Sequence, residues 1–282
     1  MVSAFIGLGF LVNQMPKIDE GKSKVVITIN EIGLDVFVYK PKNYRGDRMI
    51  IVFHGTLRNA EDYRDHSMEM GDRFGALIIA PKFDSERFPT WRYQRGGLLD
   101  AEGKLASPEA WTYAFIPKIA EAIKQREDQR AMKYWLIGHS AGGQFLVRAA
   151  AFQDTGAERI VAANAGSQLF AHREAPFGYG FGNLPESLSS DDQIRQYLAA
   201  PLTLFVGTAD NKPDEYFDDS EEAMKQGGGR FQRNKASFEF GQKLAKEKGW
   251  KFNWRIVEAL EVEHDHEKMF NHPACEHAFF GD

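Results

Sequence analysis

At 138–142 the chain reads GHSAG, placed between the apolar run YWLI at 134–137 and the alanine-rich QFLVRAAA at 144–151. A serine flanked by small residues, leaving an apolar strand and entering a helical pattern, marks a sharp strand-to-helix turn. Such a turn lifts the Ser140 hydroxyl above the sheet as a nucleophile and aims the Ala141 N–H, at the positive end of the helix, toward a developing oxyanion. The five-residue pattern is weak by itself and competes with an ordinary glycine-rich turn; the strand and helix on either side give it weight.

A serine hydroxyl needs a base to take its proton, and the base needs a carboxylate to hold it. In LTLFVGTADN, Asp210 follows an apolar strand closely enough to reach the sheet edge, with Asp214, Asp218 and Asp219 as alternatives deeper in an acidic loop. In FNWRIVEALEVEHDHEKMF, His264 lies just beyond the last strand, with His266 as rival and Asp265 between them. Serine, acid and histidine then run in the chain order that this kind of sheet uses. The second oxyanion donor is expected from HGTLRN after the strand MIIVF, where Gly55 permits a tight turn and Thr56 or Leu57 offers an N–H. His54 and His139 read as structural. Neither the pair His264 and His266 nor the pair His272 and His277 has HExxH spacing or a carboxylate cluster, so no metal site is expected.

These residues need a scaffold, and the hydropathy pattern describes one. Alternating runs at 24–30 and 34–40 read as a hairpin turning through Glu31, Ile32 and Gly33. Short apolar runs at 49–53, 76–80, 134–137, 159–165, 201–206 and 252–259 suit a parallel sheet covered on both faces. Helical patterns fall between them at 60–74, 142–151, 191–199, 236–248 and 266–277. The clearest covers 108–126, with Ser107 as N-cap and Pro117 expected to kink it. Together these predict one doubly wound, mostly parallel α/β sheet of about eight strands with a leading antiparallel hairpin, spanning 1–282 as a single domain.

Two segments break the alternation. The stretch 167–189, rich in Gly, Pro and aromatics, reads as a site-covering loop; 211–235 is acidic, then glycine-rich, then basic, and reads as a solvated excursion with Arg230 and Arg233 at the surface or in ion pairs. Trp91, Tyr93, Trp111, Phe177, Tyr179 and Phe181 lie in connections, where they are expected to line an aromatic substrate cleft.

Composition excludes several classes. Of 282 residues 43% are hydrophobic, enough for a packed core, and a formal charge of −5 without a Lys/Arg block argues against nucleic acid. The single cysteine, Cys275, rules out an intrachain disulfide. Within the N-terminal segment 1–23, the apolar stretch 2–12 has the length of a signal core but lacks a basic leader and a small-x-small cleavage site. A packed N-terminal segment is expected there, with the cytoplasm slightly favoured over export, and no window is long and apolar enough for an integral membrane span.

The order and spacing of HG at 54–55, GHSAG, VGTAD at 206–210 and VEHDH at 262–266 resemble the α/β-hydrolase superfamily. FHGTLRNAEDYRD at 53–65, FPTWRYQRGG at 88–97, NAGSQLF at 164–170 with FGYG at 177–180, and QGGGRFQRN at 226–234 are similar to bacterial serine esterases related to polyhydroxyalkanoate depolymerases and feruloyl esterases. That resemblance implies Ser140 as nucleophile, Asp210 as acid, His264 as base, and no cofactor. Relatives commonly carry glycine before the histidine; the carboxylate of Glu263 in that place is expected to raise the histidine's pKa. A small-molecule or polymeric ester is the expected substrate, with a thioesterase, amidase or peptidase as the alternative on the same residues, and a non-catalytic binding protein outside enzymes.

Overall fold

A computed structural model describes residues 16–281, so the apolar stretch at 2–12 lies outside the described residues. Among these residues eight strands form one sheet: β1 Gly21–Ile29, β2 Ile32–Lys40, β3 Arg48–Phe53, β4 Leu77–Pro81, β5 Lys133–His139, β6 Ile160–Ala163, β7 Leu202–Gly207 and β8 Arg255–Ala259. Their order across the sheet is β1-β2-β4-β3-β5-β6-β7-β8; β2 pairs antiparallel with β1 and β4, and every other pairing is parallel.

Burial follows directly from this order. The parallel strands β4, β6 and β7 are buried along their whole length, whereas β1 alternates between buried and exposed, as an outer hairpin strand should. Successive residues of β3 face opposite ways: Met49, Ile51 and Phe53 join one core, and Ile50 and Val52 join the other.

Among the described residues ten α-helices accompany the sheet: α1 Ala60–His66, α2 Met68–Phe74, α3 Phe115–Glu127, α4 Ala141–Phe152, α5 Glu186–Ser189, α6 Asp191–Ala199, α7 Glu221–Gln226, α8 Arg230–Lys248, α9 His266–Asn271 and α10 Ala274–Phe280. Residues of α3, α4 and α6 pack into the first core; those of α1, α2, α9 and α10 pack into the second. The strand order reverses between β3 and β5, and in open α/β sheets the crevice beyond the carboxyl ends of such strands is where ligands bind. Beyond those two ends lie the HG loop and Ser140.

Several boundaries differ from the sequence reading, each for a local reason. The hairpin turns through Asn30 and Glu31, with φ of 49° and 66°, while Gly33 pairs with Thr28 in the ladder. The stretch 108–126 is two 3₁₀ turns, Pro108–Ala110 and Thr112–Ala114, followed by α3; Ser107 makes no side-chain cap bond. Pro117 is the third residue of α3, where an N–H has no intrahelical partner to lose, so it breaks nothing. The pattern at 60–74 divides at Ser67, whose hydroxyl donates to the Tyr63 carbonyl at 2.6 Å, and that at 266–277 divides before Pro273. The segment 211–235 is less solvated than expected, because α8 begins at Arg230, and Arg230 and Arg233 are among the largest fully buried side chains.

Candidate active site

Ser140 sits where β5 gives way to α4, with φ 57° and ψ −114°. That is left-handed backbone in a residue other than glycine, a conformation that costs on the order of 1–3 kcal/mol and persists only where its surroundings hold it. Three groups hold this one. The Ser140 N–H donates to the Ala163 carbonyl at 3.1 Å, tying the turn to β6. A Cβ on Gly138 would come within 2.5 Å of the Gly142 carbonyl group, and one on Gly142 would run into the Phe53 carbonyl, so both glycines of the pattern are required by close backbone approach.

Asp210 and His264 lie beyond the carboxyl ends of β7 and β8. The loops after β7 and β8 are joined by Thr208 N–H to the Ala259 carbonyl at 3.0 Å and Ala209 N–H to the Val262 carbonyl at 3.0 Å. Buried Asn164 fastens both: its Oδ1 accepts from Gly207 N–H at 2.7 Å and its Nδ2 donates to the Glu263 carbonyl at 3.1 Å. In this frame His264 Nδ1–H donates to Asp210 Oδ2 at 2.7 Å, which leaves Nε2 as the basic ring nitrogen. Asp210 is 2% exposed, and its other oxygen takes a hydrogen bond from Arg230 Nη1 at 3.3 Å. Among the described residues the Ser140 hydroxyl makes no hydrogen bond to a protein group, and Ser140 and His264 line the same cavity. The Glu263 carboxylate, expected to act on the histidine, pairs instead with exposed Lys212 at 3.3 Å.

The other histidines form a wall. His54 is fully buried; its Nδ1–H donates to the Gly55 carbonyl at 2.9 Å and its Nε2 accepts from Phe83 N–H at 3.0 Å, while burial drives its pKa down to about 3. It braces the HG loop as a neutral ring. His139 is buried with Nε2 unpartnered, and burial, then the neighbouring His264, hold it well below the usual histidine range. His266 stacks on Tyr63 with ring centres 4.0 Å apart and meets His66 at 2.8 Å; burial and that neighbour lower its pKa to about 4. Its ring is committed to that stack, whereas His264 holds the carboxylate. The Tyr63 hydroxyl pairs with His139 Nδ1 at 3.4 Å and abuts Gly55, where a Cβ would lie 2.7 Å from it.

The cavity holds about 320 Å³ and is lined by Gly55, Thr56, Leu57, Ser140, His264 and His266, together with Asn59, Tyr63, His139, Asp214, Glu215 and Tyr216. Thr56, Leu57 and Ala141 therefore stand at or beside it, and among the described residues the N–H groups of Thr56 and Leu57 donate to no protein acceptor.

The aromatics expected to line it do not. Tyr93, Trp111, Phe177 and Phe181 are core residues: Tyr93 donates its hydroxyl to the His54 carbonyl at 2.8 Å, Trp111 its indole N–H to the Ala106 carbonyl at 3.0 Å, and Phe177 and Phe181 pack on Phe152. Trp91 is half-buried and outside the lining. Tyr179 and the 167–189 segment line a separate cavity of about 420 Å³ against α7, so the wall over Ser140 comes from Asp214, Glu215 and Tyr216 instead. The sequence held a signal for that wall, an acidic loop directly after the strand that carries Asp210; Tyr63 gave none. No group of three His, Cys, Asp or Glu placed to hold a metal ion occurs among the described residues, and no helix among them is long and apolar enough to cross a membrane.

No protein-family model matches the chain, and no curated protein matches it. Solved structures do. The poly(3-hydroxybutyrate) depolymerase LpqC from Bordetella parapertussis is 30% identical with a TM-score of 0.83, over 92% of this chain and 90% of that one. Poly(aspartic acid) hydrolase-1 from Sphingomonas sp. KT-1 is 28% identical with a TM-score of 0.82, over 89% and 96%. The siderophore hydrolase EstA from Aspergillus nidulans, 15% identical with a TM-score of 0.54 over 92% and 94%, shares the fold.

Proposed function

The chain belongs to the α/β-hydrolase superfamily, in the family of the Bordetella poly(3-hydroxybutyrate) depolymerase, and from that premise we propose that it hydrolyses carboxylic esters through an acyl-enzyme on Ser140. The observation that carries the reading is the 2.7 Å bond from His264 to buried Asp210 at the cavity that Ser140 lines. His264 Nε2 takes the serine proton as Oγ attacks the ester carbonyl, while Asp210 holds the tautomer and stabilises the imidazolium. The amides of Ala141 and of Thr56 or Leu57 receive the oxyanion. The imidazolium then protonates the leaving alcohol, and the same ring activates water to release the acid.

The cavity lining also bears on the substrate. None of its residues is Lys or Arg, and it carries Asp214 and Glu215, a surface that repels a polyanion such as poly(aspartic acid) and admits an uncharged ester. An oligoester segment or a short acyl ester fits this chemistry better than an anionic polyamide.

Hydrolysis of p-nitrophenyl esters from acetate to decanoate by wild type and Ser140→Ala tests the reading. Loss of at least about 10³-fold in kcat in a folded Ser140→Ala variant is expected. Equal activity in both proteins, or none on any ester, would sink it. Release of hydroxybutyrate from 3-hydroxybutyrate oligomers, compared with cleavage of poly(aspartate), separates the two substrate classes.

A further inference from the structure

The stretch QGGGRFQRN at 226–234 supplies no step of the reaction above, yet it contains the buried guanidinium that touches the acid. Arg230 opens α8 with its side chain 1% exposed; Nη1 donates to Asp210 Oδ1 at 3.3 Å and Nη2 to Asp214 Oδ1 at 2.8 Å. One residue on, the Phe231 N–H donates to the Asp210 carbonyl at 3.1 Å. Asp210 is thus held at three atoms: Oδ2 by His264, Oδ1 by Arg230 and the main chain by the first turn of α8. The start of α8 reaches the Asp210 loop because Gly229 is bare; a Cβ there would press on Gln232 and on the backbone of Asn211. Asn234 secures the arginine from the next turn, its Nδ2 donating to the Arg230 carbonyl at 2.7 Å.

The charges explain why an arginine is needed. Asp210 and Asp214 are two carboxylates brought together by one loop, and a single planar cation bonds both with separate nitrogens, which an ammonium cannot do with fixed geometry. Burial works against the charge on Asp214, but the hydrogen bond and charge of Arg230 outweigh it and hold its carboxyl below the usual range. Asp214 lines the cavity and Arg230 does not.

Resting on the esterase reading, we propose that Arg230 is the positioning residue of the site: it fixes the Asp210 carboxylate for His264 and joins the cavity wall at Asp214 to the acid. It touches no substrate. Its removal frees Asp210 Oδ1 and withdraws a positive charge from behind the carboxylate, so the Asp210–His264 pair holds a proton more tightly. The acid limb of kcat/KM, where the base must be free of its proton, therefore moves to higher pH. Removing the charge of Asp214 moves it the other way. The remaining charged or titratable groups around His264 are His139 of β5, His266 of α9, Glu215 and Tyr216 of the cavity wall, Asp265 with Lys268, and Glu263 with Lys212, and the variants leave all of them in place.

The test is the pH dependence of p-nitrophenyl butyrate hydrolysis by wild type, Arg230→Met, Arg230→Lys and Asp214→Asn, with thermal melts of each and Ser140→Ala as the zero. Arg230→Met is expected to lose about 10²-fold in kcat with KM within about threefold. Its acid limb should rise by about 0.5–1 pH unit, Arg230→Lys should return most of that shift, and Asp214→Asn should lower the limb. A folded Arg230→Met with wild-type kcat and limb overturns the inference, as does an Arg230→Lys no better than Met. Should Arg230→Met fail to fold, the limb of Asp214→Asn decides, and an unmoved limb counts against the proposal. Wild-type hydrolysis that survives Ser140→Ala points elsewhere: the esterase reading fails, and this inference falls with its premise.

Discussion

Tyr63 is the residue on which the parts of the site converge. One face of its ring carries His266, and its hydroxyl spaces the HG loop at Gly55 from His139 next to Ser140. Tyr63→Phe keeps the stack and removes the spacer. It should cost about 1 kcal/mol of stability, since His139 then loses the partner of its second ring nitrogen. On the proposed mechanism it should also lower kcat about tenfold with little change in KM, because the HG loop proposed to hold the oxyanion shifts while the cavity survives. Melts run beside ester kinetics check both, and a variant as fast and as stable as wild type would remove Tyr63 from this role. Ser140, Asp210 and His264 were legible as candidates because each follows a strand whose hydropathy marks where the sheet edge lies. Tyr63 and Arg230 were not, since each owes its place to packing between segments that only the tertiary fold brings together. The four buried aromatics misled for the converse reason: a connection can fold inward, and its composition does not say so.

Among the elements, the β1–β2 hairpin shows how a turn is misread. The sequence places the turn at Glu31, Ile32 and Gly33, but the left-handed positions fall one residue earlier, on Asn30 and Glu31, the pair of a two-residue type I′ turn, while Ile32 and Gly33 pair in the ladder. Asn30 suits its place: its Oδ1 accepts from Lys118 at 2.9 Å, and its Nδ2 donates to the Glu109 carbonyl at 3.1 Å. Glu31 has neither glycine's freedom nor asparagine's tolerance. Glu31→Gly should therefore stabilise the protein by about 0.5–1 kcal/mol, read as a higher urea midpoint at unchanged slope. An unchanged or lower midpoint would mean that the glutamate is not strained. The helix at 115–127 makes the complementary point: Pro117 signals a break in the interior of a helix and none in its first turn, and only knowledge of where the helix starts tells the two apart.

For the whole molecule, two buried histidines and a half-buried one set an acid limit. His54, His139 and His266 are uncharged when folded, with pKa values near 3, well below normal, and near 4, while an unfolded chain binds their protons from about pH 6.5 downward. The unfolded state therefore holds more protons between about pH 4 and 6.5, and stability falls as pH falls through that window, by about 1.4 kcal/mol per unit for each such ring. Denaturant midpoints at pH 7 and pH 5 should differ accordingly, and His266→Gln should flatten the slope by about one proton; equal midpoints would show that these rings can charge without unfolding. The strand order carries a consequence of another kind. As the chain leaves the ribosome, the serine turn can form once β3, β5 and β6 have joined, but the proposed acid, Asp210, waits for β7 and the proposed base, His264, for β8 at the far edge of the sheet. On the proposed mechanism a nascent chain thus holds Ser140 without its base until β8 docks, and a half-made copy does not acylate itself on whatever esters surround it.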